Sequence, residues 1–132
     1  MTTLLDPGTT LADISTWADE VRSSRPNTGP RHYVNIPRGA FGYNAQRDCR
    51  GGCVVSIIEQ SLRLLQDTAK GWTVRQEALK WVVHLVADLH QPLHAIADDR
   101  GGNDVLVQFN GHQTNLHRLW DGDLIDQAYP SQ

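Results

Sequence analysis

The stretch His84-Leu85-Val86-Ala87-Asp88-Leu89-His90-Gln91-Pro92-Leu93-His94 decides how the chain reads. A helix turns about 100° per residue, so His84 and Asp88, at i and i+4, stand one above the other on one face. Leu79, Val82, Val83, Val86 and Leu89 fall on the opposite side, which predicts a buried apolar face and a His/Asp pair pointing away from it. Pro92 ends the helix, because it lacks an N–H and pushes Gln91 out of the α region. His94 therefore comes from the turn beyond and approaches the same place from a second direction. His90 lies about 120° from the His84/Asp88 line, on the apolar side, and reads as a packed or capping residue.

One imidazole and one carboxylate on a polar helix face are ordinarily just solvated groups. The same device recurs, however, at His117 and Asp121, again at i and i+4, in a short helical pattern with Leu116, Leu119 and Trp120. Neutral imidazole nitrogen and carboxylate oxygen are the ligands zinc takes in open, catalytic sites, whereas closed structural sites lean on thiolates.

At 132 residues the chain has the length of one domain. With 39% hydrophobic and 20% charged residues it fits a soluble globular protein, and no run approaches the roughly 18 apolar residues of a membrane span. A net charge of −3 gives no basic footprint of the kind that grips a DNA duplex. Bound cations change that balance: two zinc ions would reverse the sign and concentrate positive charge in one cleft. The only cysteines, Cys49 and Cys53, enclose Arg50-Gly51-Gly52, and the spacing suits either a local disulfide or two free thiols. Residues 1–10 have neither a basic start nor a long apolar run, so no signal peptide is read there.

Along the chain, Leu11, Ile14, Trp17, Ala18 and Val21 recur at helical spacing behind Thr9 and Thr10 as candidate N-caps, which predicts a first helix to about Ser23. Asp19 and Arg22 lie on its polar side. Pro26, Gly29 and Pro30 make 24–31 a connector, and His32-Tyr33-Val34-Asn35-Ile36-Pro37 is short and extended. A glycine-rich loop covers 38–53. Val54, Ile57, Ile58, Leu62 and Leu65 predict a core helix to Lys70, with Gly71 as its C′ residue. Thr73-Val74-Arg75-Gln76 resembles a capping box opening the helix of His84. Residues 97–103 read as loop; Val105, Val107 and Phe109 alternate up to Asn110-Gly111, a strand and hairpin turn; a last helical stretch runs from about Asn115 to Ile125. The fold class is all-α, mainly helical, with one short β hairpin or extended segment.

Taken together, Trp17-Ala18-Asp19-Glu20-Val21-Arg22, His32-Tyr33-Val34-Asn35, Arg47-Asp48-Cys49 with Cys53-Val54-Val55-Ser56, His84 through His94, Gly101-Gly102-Asn103, and Asn115-Leu116-His117 with Trp120-Asp121 resemble the S1/P1 nuclease family in order and spacing, over roughly residues 11–125. The resemblance implies a zinc-dependent phosphodiesterase related in fold to bacterial zinc phospholipase C. Such an enzyme cleaves single-stranded DNA and RNA to 5′-nucleotides and removes phosphate from 3′-nucleotides. Asp19, His32, His84 and Asp88 then correspond to the ligands of one zinc, and His94, His117 and Asp121 to those of a second. Asp88 also corresponds to a carboxylate bridging to a third. Asp19 and Arg22 take the catalytic roles, orienting water and neutralising phosphate charge. Tyr33 and Asn35 match positions that stack on and hydrogen-bond a nucleobase, with an amide where fungal members carry an acid. Cys49 and Cys53 match a family disulfide, and secretion or a periplasmic location follows from the same comparison. His90 and His112 correspond to no ligand.

The family's pattern is expected to extend beyond both ends of this sequence, and the third zinc keeps only Asp88 among its ligands here. The resemblance therefore implies one S1/P1 nuclease domain over 1–132, shortened at both ends. The alternatives are an impaired or non-catalytic metal-binding remnant of the family, and a phospholipase C-like phosphoesterase on the same scaffold.

Overall fold

The computed structural model describes residues 3–130. Its elements run α1 (Leu11–Ile14), α2 (Trp17–Glu20), 3-10 turns at Val21–Ser23 and Pro26–His32, α3 (Ala45–Asp48), α4 (Val54–Gln66), α5 (Trp72–His90) and a 3-10 turn at Pro92–Ala95. They continue with the tight turn α6 (Asp99–Gly102), β1 (Leu106–Phe109), β2 (His112–Asn115), α7 (Leu116–Arg118), a π-helical turn at Leu119–Asp123 and α8 (Leu124–Ala128). The molecule is mainly helical, as its periodicity implies. Its hairpin is antiparallel with Phe109 opposite His112, closed by Asn110 and Gly111 in the left-handed region that such two-residue turns require.

α5 is the axis. It packs along α4 and carries Ala78, Trp81 and Leu85 into a core shared with Ala18, Val34, Cys53 and Val54. This corrects the expected facing of the helix. The buried stripe of α5 is Gln76, Ala78, Trp81, His84 and Leu85, while Val86 is 40% exposed. His84 is thus built into the core's edge and does not point away from it. The physical reason is that α1, α2 and the Pro26–His32 segment pack on the Trp81 side, where Trp17 and Trp81 meet edge to face. The His84 ring can be buried there because its nitrogens meet the Ser15 carbonyl and the Asp88 carboxylate.

Other boundaries differ from the sequence reading for local reasons. The helix expected over Leu11–Ser23 breaks after Ile14: Thr10 caps α1 with a reciprocal Asp13 bond, but the Ser15 hydroxyl turns back onto the Ala12 carbonyl at 2.7 Å and α2 starts afresh at Trp17. Leu11, assigned to its apolar face, is exposed. The connector at 24–31 is in fact mostly 3-10 helix, pinned by Thr28 Oγ1 on the Arg25 carbonyl. α4 ends at Gln66 with extended Asp67, short of Lys70, and Leu62 is exposed. Gly71, expected as a C′ residue, has extended φ −63° and is the N-cap of α5, so Thr73 lies inside that helix and forms no capping box. The loop at 97–103 contains the left-handed turn α6, and the last helical stretch reaches Ala128 with the π turn in its middle.

Candidate metal centre

Two strips of backbone bring the site together. Val34 N–H donates to the His94 carbonyl and Ala97 N–H to that of Ile36, and Ile36 pairs in parallel with Ile96. Residues 32–36 alternate in and out as a strand does: His32 and Val34 are buried, Tyr33 and Asn35 exposed. Cys49 and Cys53 form a disulfide at the head of α4, where Val54 N–H holds the Tyr33 carbonyl.

The first cluster is Asp19, His32, His84 and Asp88. His32 Nδ1 lies 3.2 Å from His84 Nε2, Asp88 Oδ2 is 2.9 Å from the former and 3.1 Å from the latter, and Asp19 Oδ1 is 3.6 Å from both nitrogens. The second is His94, His117 and Asp121. The two rings stack with centroids 5.0 Å apart, and the Asp121 oxygens lie 3.3 Å from His94 Nε2 and 3.2 Å from His117 Nε2. Asp88 faces both, its Oδ1 3.6 Å from His94 Nδ1. All seven side chains were expected as ligands from sequence; Asp19, His32 and His84 form one group that could hold a metal ion and His94, His117 and Asp121 another, with Asp88 between them.

What the nitrogens bond to on their far side tests that fit. His84 Nδ1 meets the Ser15 carbonyl at 2.6 Å, His94 Nδ1 the His32 carbonyl at 3.0 Å, and His117 Nδ1 the Gly101 carbonyl at 2.7 Å. A carbonyl only accepts, so each Nδ1 carries a proton, and with no second proton each ring turns an Nε2 lone pair inward, toward carboxylate oxygens that also only accept. His32 completes the first group through Nδ1, its Nε2 being buried with no partner among the described residues. Lone pairs facing lone pairs require a cation between them. Without one, protons take the role. Burial pushes the His84 pKa down, but the bonds to Asp88 and the Ser15 carbonyl and the neighbouring carboxylate charges outweigh it and raise it. Burial likewise pushes the Asp88 carboxyl up, and the hydrogen bonds from His32 and His84 outweigh it, holding the group far below the usual carboxylate range.

Both groups open into one cleft of about 510 Å³, which Arg22 also lines. Arg22 Nη1 is 3.7 Å from Asp19 Oδ1, and both side chains are about half exposed. Tyr33 and Asn35 line an adjoining hollow of about 540 Å³ that shares Arg22, His32, His94 and His117 with the cleft. A larger hollow of about 780 Å³ beside the hairpin contains neither group. His90 is exposed and bonds back to its own helix at the Val86 carbonyl, so it acts as a helix-end residue and is not packed. His112 is exposed on β2, outside both groups.

The family model for S1/P1 Nuclease matches residues 1–132. The chain belongs to the S1/P1 nuclease family. It is 35% identical over 124 residues to Nuclease S1 of Aspergillus oryzae (strain ATCC 42149 / RIB 40), covering 89% of this chain and 43% of that protein. It is 35% identical over 130 residues to Endonuclease 2 of Arabidopsis thaliana, covering 89% and 44%, and 35% identical over 117 residues to Nuclease P1 of Penicillium citrinum, covering 84% and 43%. The chain spans less than half the length of these curated relatives.

Four parts of this candidate site escaped the sequence reading: the Ser15, His32 and Gly101 carbonyls, and Gln91, whose Nε2 donates to Asp121 Oδ1 at 2.7 Å. The first three act through backbone, which no residue type advertises. Gly101-Gly102 and Gln91 stood inside quoted motifs, and their position between ligands was the available signal.

Proposed function

We propose that this chain is a zinc-dependent phosphodiesterase that hydrolyses single-stranded DNA and RNA to 5′-nucleotides and removes phosphate from 3′-nucleotides. One observation carries the reading: three imidazoles, each fixed by a carbonyl on Nδ1, direct Nε2 at carboxylates, and those carboxylates, Asp19, Asp88 and Asp121, line a single open cleft. Asp19, His32, His84 and Asp88 hold one zinc, and His94, His117 and Asp121 a second. Zinc in these positions supplies hydroxide near neutral pH and offsets charge on the phosphoryl oxygens.

The chain's own groups do the rest. Asp19, its side chain 57% exposed, has an oxygen free to orient the attacking water and accept its proton. Arg22 is close enough to swing from Asp19 onto a phosphate oxygen, a charge-assisted bond. Tyr33, 41% exposed, offers a ring face to a base, and Asn35, two residues along the same extended strip, presents an amide that both donates and accepts. An unpaired base reaches such a face at no cost in unpairing, which favours single strands and nucleotides as substrates. Among the described residues no helix is long and apolar enough to cross a membrane. The Cys49–Cys53 disulfide suits an oxidising compartment, and the reading includes export from the cytoplasm.

The test is cleavage of single-stranded DNA and RNA by the purified chain with added zinc, beside a His84→Ala control. Zinc-dependent cleavage that is stopped by a chelator and reduced by more than about a hundredfold in the control is the expected result. Cleavage that persists in the control, or no turnover by a folded, zinc-loaded chain, overturns the proposal for this polypeptide.

A further inference from the structure

The turn α6 is built against its own preference. Asp99 and Arg100 have φ +50° and +52°, and Gly101 and Gly102 follow at +64° and +77°, so four consecutive residues are left-handed. Side-chain-bearing residues persist there only where their surroundings hold them. The holding groups are visible: Arg100 grips Asp104 through Nε and Nη2, Asn103 Nδ2 donates to the Arg100 carbonyl, and Asp104 N–H closes onto the Asp99 carbonyl. The outcome of this winding is the direction of one carbonyl. Gly101 O meets His117 Nδ1 at 2.7 Å while His117 Nε2 faces Asp121 Oδ2 at 3.2 Å.

The same residue touches the other ligand's backbone. A Cβ on Gly101 would lie 2.8 Å from the Leu93 carbonyl, immediately before His94, and 3.5 Å from His117 Nδ1. A Cβ on Gly102 would instead meet Leu93 Cδ1 at 2.7 Å, the movable end of a side chain, with Leu116 Cβ at 3.4 Å and the His117 backbone nitrogen at 3.6 Å. Two neighbouring glycines thus share a left-handed backbone and both lie between the segments that carry His94 and His117, but only at Gly101 would an added Cβ press on unyielding backbone, the Leu93 carbonyl, and on the His117 ring.

We infer that Gly101 is a positioning residue for the second metal group: its bare Cα lets His94 and His117 approach, and its carbonyl fixes the ring of His117 with Nε2 inward. The inference rests on the reading of His94, His117 and Asp121 as ligands. It assigns a role in site assembly to a residue with no side chain, one that also borders the hollow of Tyr33 and Asn35.

The test compares wild type, Gly101→Ala and Gly102→Ala as full chains, with zinc stoichiometry and affinity measured by competition against a chromophoric chelator. Ring-nitrogen NMR of His117 reports its tautomer. Wild type is expected to bind two zinc ions. Gly101→Ala should keep one at unchanged affinity, bind the other about 10- to 100-fold more weakly, and lose the fixed Nδ1–H signature of His117. Gly102→Ala, equally strained in backbone, should bind both as wild type does while melting at a lower temperature. If the two variants weaken zinc alike, or Gly101→Ala binds both ions normally, the positioning role is overturned while the metal reading stands. A folded wild-type chain that binds no zinc overturns the metal reading itself and this inference with it.

Discussion

Gln91 does two jobs with one amide. Its Oε1 accepts from Leu93 N–H at 2.6 Å and so shapes the turn that delivers His94, while its Nε2 holds Asp121 Oδ1 at 2.7 Å. A ligand carboxylate restrained from outside the metal loses less freedom on binding, and such outer contacts are typically worth about 10- to 100-fold in affinity. Gln91→Leu keeps the bulk and removes both bonds. It is expected to weaken the second zinc by at least about tenfold in a competition titration, leaving the first unchanged; equal affinity at both sites in the variant would show that Asp121 needs no such support. At this scale the clustering of the proposed ligands was legible because His and Asp recur at i and i+4 and because Pro92 must turn the chain before His94. Their supports were not. Ser15, His32 and Gly101 contribute carbonyls that every residue possesses, and only the fold says which are aimed at an imidazole.

The Pro26–His32 segment shows how an irregular element is made exact enough to deliver a ligand. Arg25, just before it, pairs with Glu77 of α5 at 2.7 Å, and Arg31 lies over the Trp81 ring at 5.1 Å, so the segment leading to His32 is clamped to α5 near both its ends. Burial pushes the Glu77 carboxyl up, but the Arg25 hydrogen bond and charge outweigh it and leave the pKa lowered. A carboxylate whose folded pKa lies below its unfolded one stabilises the fold above the unfolded value, and the contribution disappears as pH falls through the folded value. Both side chains are more than a third exposed, so solvent screening limits the pair to under about 1 kcal/mol. Glu77→Gln is accordingly expected to lower Tm slightly at pH 7, and the difference should shrink as the pH falls below the ordinary carboxylate range; a variant equal to wild type at pH 7 would remove the clamp from the argument. The elements themselves were legible where a pattern was long, as in α4 and α5, and where chemistry was local, as at Thr10 and Asn110-Gly111. The break after Ile14 was not, because Leu11 to Val21 keeps helical spacing across it. What breaks the helix is Ser15, and the break exposes the carbonyl that His84 uses.

Across the whole molecule, the proposed ligands come from α2, the Pro26–His32 segment, α5, the turn after it, and the helical stretch after the hairpin, spanning residues 19 to 121. A cation in each group would therefore cross-link most of the chain's length, much as a disulfide does. The core it supports is small: Leu85, Val34 and Val54 are among the few fully buried larger side chains, while Trp120, Ile125 and Tyr129 near the end of the described chain are exposed. That the molecule is helical was legible from periodicity alone; that the metal groups form the edge of the core was not, since a helical wheel sorts residues by polarity and would always turn His84 toward water. Because the sites draw on distant segments, zinc should bind the folded chain and not the unfolded one, adding about 2.7 kcal/mol per site at a free concentration of 100 times Kd. For a chain of this length that is a rise in Tm of about 10 °C, measurable by calorimetry with and without chelator. His84→Ala and His117→Ala should each remove part of the rise, and the double variant should remove all of it. A melting temperature indifferent to zinc in the wild-type chain would mean that these seven side chains are held together by protons and hydrogen bonds alone.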